Sequence, residues 1–261
     1  MNTKFEKFPV KILGQFLGTS PEISQRISAV LGDTINADVH VHIDHLQGPV
    51  TANIGGDNGQ ISLDAKINKG ILTLNKNFRT QIALTKEFGK AILEDIFPLA
   101  GGLIGSDNPL TINIDAAGFA LPIKNFNIKS VQIGSASLEL GKVRFRSEGQ
   151  LGTILSLFNT SGTDQISVWF TPLYVKMQEG VINFQRMDML IMDAYPIATW
   201  GLVDLASDKV NMIIGLTAQA LKKGFNIPDL GKDYILQIPF KGTISSASID
   251  KKKLSQKLLP L

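Results

Sequence analysis

Between residues 178 and 250 apolar and polar positions alternate, and turn residues interrupt them at short intervals. Val181, Asn183, Gln185 and Met187 interleave with Ile182, Phe184, Arg186 and Asp188. That period of two places successive side chains on opposite faces of a strand. Residues 200–205 form a second short run, which the turn residues Ser207-Asp208-Lys209 end. Residues 210–216 form a third run and 234–245 a fourth, with Pro239 and Gly242 inside it. A proline or glycine within a strand marks an edge, a bulge or a bend. The pattern predicts a β-meander.

The earlier part of the chain mixes strand and helix patterns. Ser20 as N-cap, Pro21 in the first turn and Glu22 near the positive end of the dipole predict a helix from 20 to Gly32, with Ile23, Ile27, Val30 and Leu31 as its apolar stripe. Strands follow over 35–43 and 49–54, then a turn over 55–59 and a hairpin of 61–67 with 70–75 joined at Asn68-Lys69. Thr85, Glu87 and the face formed by Phe88, Ala91, Ile92 and Ile96 predict a helix over 85–97, ended by Pro98. Further strands are expected over 110–115, 119–123, 128–133, 137–145 and 166–177, the last bent at Pro172. Short helices are expected over 151–158 and, capped by Asp250, over 251–259. A faint echo links INKGILTLNKNF from Ile67 with MQEGVINFQRMD from Met177; sideways-stacked repeats of a β unit make an elongated sheet. The expected fold is mainly β and antiparallel, one elongated repeat-like domain over 1–261 with sub-units 33–148 and 164–250, and two to four short helices.

The strands around Gly201-Leu202-Val203-Asp204-Leu205 and Ile238-Pro239-Phe240-Lys241-Gly242-Thr243-Ile244 resemble the C-terminal region of AsmA-like proteins, the group that includes the TamB-type proteins of bacterial envelopes. The resemblance covers roughly the last third of the chain. It implies a long, curved sheet with an apolar, groove-like inner face, in a protein anchored in the inner membrane and engaged in moving lipid or assembling the outer membrane. No catalytic residue comes with it.

Composition narrows the partners. Charged residues are 19% and apolar residues 44% of the 261, and mean hydropathy is +0.12, so there is ample apolar surface to bury or to line a groove. The net charge of +3 is scattered, with one dense run at Lys251-Lys252-Lys253, too little for a nucleic-acid footprint. The absence of cysteine excludes disulfides, thiolate metal sites and cysteine nucleophiles. No segment reaches the roughly 18 uncharged apolar residues that span a bilayer. Lys4, Glu6, Lys7 and Lys11 make the N-terminus a poor export signal. An envelope role therefore places the signal or membrane anchor outside this chain, which is expected to be a fragment of a longer protein.

One stretch looks like chemistry. His40-Val41-His42-Ile43-Asp44-His45 fits the H-x-H-x-D-H signature of metallo-β-lactamase-like hydrolases, whose clustered ligands hold water-activating zinc. These are the only three histidines, so the downstream ligands of such a site are missing. The plainer reading is a half-buried strand with Asp38, His40, His42 and Asp44 on its wet face. His40, His42 and His45 stay as weak metal candidates; no metal, cofactor or catalytic group is predicted.

Four of the six methionines fall between 177 and 192, and methionine suits surfaces that accept variable apolar partners. Phe119, Leu121, Ile123, Val168, Phe170, Met187, Met189 and Ile191 are the expected lipid-facing residues, and ordinary core is the competing reading. The expected function is non-enzymatic. A periplasmic envelope segment would bind or conduct phospholipid or other acyl chains along an apolar β groove, in support of outer-membrane biogenesis or inter-membrane lipid transport. The alternatives are a scaffold domain that binds an envelope protein through a sheet edge and a degenerate metallohydrolase.

Overall fold

The structure, a computed structural model, describes residues 2–16, 20–147, 150–156, 158, 164–228 and 230–259. In chain order the elements are β1 (Asn2–Pro9), α1 (Val10–Phe16), α2 (Pro21–Leu31), β2 (Thr34–Val41), β3 (Gly48–Gly56), β4 (Gly59–Asn68), β5 (Ile71–Leu74), β6 (Phe78–Ile82) and α3 (Lys86–Phe88). After a π turn over Gly89–Leu93 come α4 (Glu94–Ile96), β7 (Leu103–Ser106), β8 (Leu110–Ile114), β9 (Leu121–Pro122), β10 (Ile133–Glu139), β11 (Gly141–Arg146), α5 (Gln150–Ser156), β12 (Gln165–Phe170) and β13 (Leu173–Gln178). The chain ends with β14 (Val181–Ile191), β15 (Tyr195–Asp204), β16 (Lys209–Thr217), α6 (Ala218–Phe225), β17 (Ile235–Gly242), β18 (Ser248–Ile249) and α7 (Lys251–Leu258).

The strands form one curved, open antiparallel sheet. Four pairs of segments are halves of single bent strands, because both halves pair with the same neighbouring strand. β5 and β6 both pair with β4, and β12 and β13 both pair with β14. β10–β11 runs against both β7–β8 and β12–β13. With these joined, each long strand lies beside its neighbour in sequence. The interruptions line up across the sheet at Asp107–Pro109, at Leu140 and at Thr171-Pro172, and continue as a register shift in β14 between Phe184 and Met187. The Thr171 hydroxyl accepts from Asp188 N at 2.9 Å, standing in for a ladder bond at the break. Such a line of bulges bends a sheet.

The connections differ sharply between the two ends. Every helix that joins strands lies at the end holding the register pairs Ile35–Gly56, Ile82–Leu110, Arg146–Gln165 and Thr217–Ile235. Short turns and the 115–132 loop close the other end. Two of those turns, Lys69-Gly70 and Glu179-Gly180, have both central residues at positive φ, as type I′ hairpins require. They are the glycines of the echo noted in the sequence, and glycine is what such a turn favours at its second position.

Most of the core lies between the sheet and these helices. One cluster runs from Ile82 through Phe88, Leu93, Phe97, Leu151, Ile154 and Leu221 to the inward side chains of β11–β18. A smaller cluster of Val10, Leu31 and Ile35 seals α1 and α2 to the sheet. The Ser20 hydroxyl accepts from Ile23 N, and the Thr85 hydroxyl from Phe88 N, so both expected caps form.

Several local expectations are corrected. The strand expected over 128–133 opens as a 3-10 turn, Ile128–Ser130, because the Asn127 side chain accepts from Lys129 N. Of the strand expected over 119–123, Leu121–Pro122 pairs with β5 and Ala120 makes an isolated bridge to Gln132. β1, α1 and α6 were not foreseen. The helix expected over 151–158 is α5 with Phe158 packed in the core beyond it; Leu157 lies outside the described residues. Among the described residues no helix is long and apolar enough to cross a membrane.

Candidate functional site

The sheet face that meets the helices behaves differently in its two halves. From β11 to β17 it carries large side chains, Phe145, Phe170, Met187, Met189, Ile214 and Phe240, each at most 2% exposed. Helices cover them: the Phe97 ring lies 5.8 Å from Phe184, and Phe158 stacks on Tyr195 at 4.6 Å.

Across β2–β5 the same face is built from small residues. The register aligns Val39, Ala52 and Leu63 in one row and Val41, Val50, Ala65 and Leu74 in the next. Ile67, Leu72 and Leu121 extend it. The opposite face of these strands is polar: Asp38, Asn53 and Ser62 form one row, His40, Thr51 and Asp64 another. Ser62 Oγ donates to Asn53 Oδ1 at 2.8 Å. A sheet with one wet face must cover the other. Yet Ala37, Val50, Ala52, Ala65, Ile67 and Leu74, all buried, belong to neither helix-capped cluster. Val39, Val41, Leu63 and Leu72 among them are half-buried. The result is an apolar strip across four strands, closed to water at Ala65 and open along its margins.

The expected lipid-facing residues divide between these regions. Val168, Phe170, Met187, Met189 and Ile191 are 0–2% exposed and lie in the main core, where they meet side chains of the same chain. Leu121 and Phe119 are half-buried, and Ile123 is 44% exposed at a loop. The sequence does not by itself single out the β2–β5 strip; its signal there is alternation with small apolar residues at 37, 39, 41, 50, 52 and 65.

The histidine stretch is not one strand face. β2 ends at Val41, and Asp44 to Gln47 form a tight turn with His45 and Leu46 at positive φ. His40 is held through both ring nitrogens, Nδ1 to Asn2 Oδ1 at 3.1 Å and Nε2 to Asp38 Oδ1 at 3.0 Å. His45 Nδ1 lies 2.6 Å from Asp44 Oδ1. Among the described residues no three His, Cys, Asp or Glu side chains converge as a metal site.

The carboxylates with displaced acidities are turn fixtures. Hydrogen bonding from the Asn75 amide, then from Lys76, holds Asp64 below its usual range. The Ser207 hydroxyl and backbone do the same for Asp204, and the Lys253 backbone N–H for Asp250. All three are at the surface, where such bonds stabilise the ionised form. Two open clefts, one of about 680 Å³ between Lys11, Ser24, Ser28, Asp33 and Asp57 and one of about 1020 Å³ beside Lys4, Asn36, Asp38 and Asn53, have mixed polar and apolar walls; Phe5, Ala37 and Ile54 also line the second. Comparison with family models, with curated proteins and with solved structures finds no match for this chain.

Proposed function

We propose that this chain is a non-enzymatic β domain that holds acyl chains against the inner face of β2–β5. One observation carries the reading: the continuous strip of Val39, Val41, Val50, Ala52, Leu63, Ala65, Leu72 and Leu74, which the helix-capped clusters leave out. Hydrocarbon needs apolar surface without polar interruption, and each methylene taken from water gains roughly 0.8 kcal/mol. Four strands spaced about 4.8 Å apart make a floor roughly 14 Å across. Alanine and valine stand there where the other half of the face carries phenylalanine and methionine. The mechanism is passive: the strip replaces water around the acyl chain, and no covalent step is involved.

The likeness of residues 201–205 and 238–244 to AsmA-like strands supplies the setting. The proposed ligand is a phospholipid or other acyl lipid on the periplasmic side of a bacterial envelope, in outer-membrane biogenesis or inter-membrane lipid transport. The scaffold alternative is weaker because both sheet edges are guarded. β1 carries Lys4, Glu6, Lys7 and Pro9 with a register shift between Phe5 and Phe8. On β17, Pro239 removes a donor, and Lys257 Nζ donates to Gln237 O at 2.6 Å. These are the devices that discourage strand addition.

Native mass spectrometry of untagged chain incubated with phospholipid tests the proposal. Stoichiometric phospholipid adducts, lost in Leu63→Asp, are expected; bare protein at every lipid concentration would overturn it.

A further inference from the structure

Three connections at the helix-free end of the sheet meet at one point. The β2–β3 turn reaches the β4–β5 turn through Gly70 N donating to Leu46 O at 3.3 Å. The 115–132 loop joins them through Ile123 N donating to Gly70 O at 2.9 Å. A Cβ placed on Gly70 would meet Lys124 Cβ at 3.0 Å and Leu46 Cδ1 at 3.9 Å. This junction presents Ile43, Leu46, Ile71, Ile123 and Phe126, exposed by 42, 39, 41, 44 and 63%. Among the described residues the other exposed large apolar side chains, Ile12, Ile23, Trp169, Tyr174, Leu202 and Leu259, come from six different segments, and scattered exposure of that kind is ordinary for a protein surface. Here five from three separate segments share one tip.

Charge accompanies the apolar tip. Lys69 and Lys124 flank Gly70 and are both exposed. The one carboxylate in the two tight turns, Asp44, is engaged by His45; Asp115, at the root of the loop, accepts from Asn77. The turns at the opposite end carry Asp57 and Asp193 instead. Apolar side chains at loop tips, an aromatic among them, with lysines set just behind are what the interface of an anionic bilayer accommodates: rings and aliphatic groups enter the headgroup boundary and the cations meet lipid phosphates.

We propose that this tip, formed by Ile43, Leu46, Ile71, Ile123 and Phe126 with Lys69 and Lys124, docks the domain on an anionic membrane surface. The inference stands apart from acyl binding in the β2–β5 strip, since a chain that takes no free lipid would still dock.

The test is co-sedimentation of the full chain with vesicles of phosphatidylcholine alone and of phosphatidylcholine mixed with phosphatidylglycerol. Binding is expected to the mixed vesicles. It should weaken at least about tenfold in Ile123→Ser/Phe126→Ser, and at least about 25-fold in Lys69→Glu/Lys124→Glu, each lysine contributing roughly fivefold at an anionic surface. All four side chains are exposed, so folding should persist, as far-ultraviolet circular dichroism would report. The chain has no cysteine, so a polarity-sensitive dye on Phe126→Cys reads the tip directly. Its emission should shift to the blue with mixed vesicles, while the same dye on Asn108→Cys, at the sheet crease and away from the tip, stays unchanged. Wild-type chain left in the supernatant, binding indifferent to these substitutions, or equal dye shifts at 126 and 108 would each overturn the proposal.

Discussion

Phe97 faces Phe184 with ring centroids 5.8 Å apart, and this contact fastens the end of the α3–α4 stretch to the middle of β14. Phe97 is 1% and Phe184 2% exposed. Phe97→Ala would leave a cavity beside the sheet crease and should cost about 3–5 kcal/mol. Urea unfolding followed by circular dichroism measures it. A loss below about 1 kcal/mol would mean that the helices do not close the inner face.

Gly224 provides a second check on the same packing. A Cβ there would fall 2.0 Å from Phe158 Cδ1, on a ring confined between Tyr195, stacked at 4.6 Å, and Phe225 at 5.5 Å. Gly224→Val should therefore destabilise by about 1–3 kcal/mol through overpacking, although valine is the better helix former of the two. Thermal melts of the variant beside Gly224→Ala should rank with side-chain size.

How far these features can be read from sequence depends on what covers each face. The alternation from Val181 to Leu216, the caps at Ser20 and Thr85 and the break at Pro172 are local signals, and all three appear in the structure. β1 is hidden because an edge strand guarded by Lys4, Glu6 and Lys7 lacks an apolar rhythm. α6 is hidden because its cap, Thr217, also ends a strand. The candidate site is harder. Met187 and Met189 have the alternation of either a groove lining or a core, and the side chains that bury this region, Phe97, Ile154 and Leu221 among them, come from distant segments. Ala52 and Ala65 look unremarkable as letters; only the register shows them side by side with Val39, Val41 and Val50.

Acid should weaken the turn that Asp64 holds. Asp64 is held below its ordinary value of 3.8 chiefly by Asn75. A depressed folded-state value means stability that is present above the unfolded value and is lost as pH falls through the folded one. The stability gap between wild type and Asn75→Ala should thus be full at neutral pH and close as pH drops below 3.8. A gap independent of pH in thermal melts would remove the carboxylate from the explanation.

The two halves of the inner face should respond differently to charge. Met189→Lys puts an unpaired cation at a site 1% exposed and should cost more than about 4 kcal/mol or prevent folding. Leu63→Asp acts at a half-buried position and should cost about 1–3 kcal/mol while abolishing lipid adducts. Equal destabilisation by both would mean that the β2–β5 strip is as closed as the core.

Photo-crosslinking with a diazirine-bearing fatty acid, mapped by peptide mass spectrometry, tests the acyl-binding strip most directly. Crosslinks confined to residues 37–74, and lost in Leu63→Asp, are the predicted result. Crosslinks confined to 166–191, or none above the level seen with unfolded chain, would contradict it.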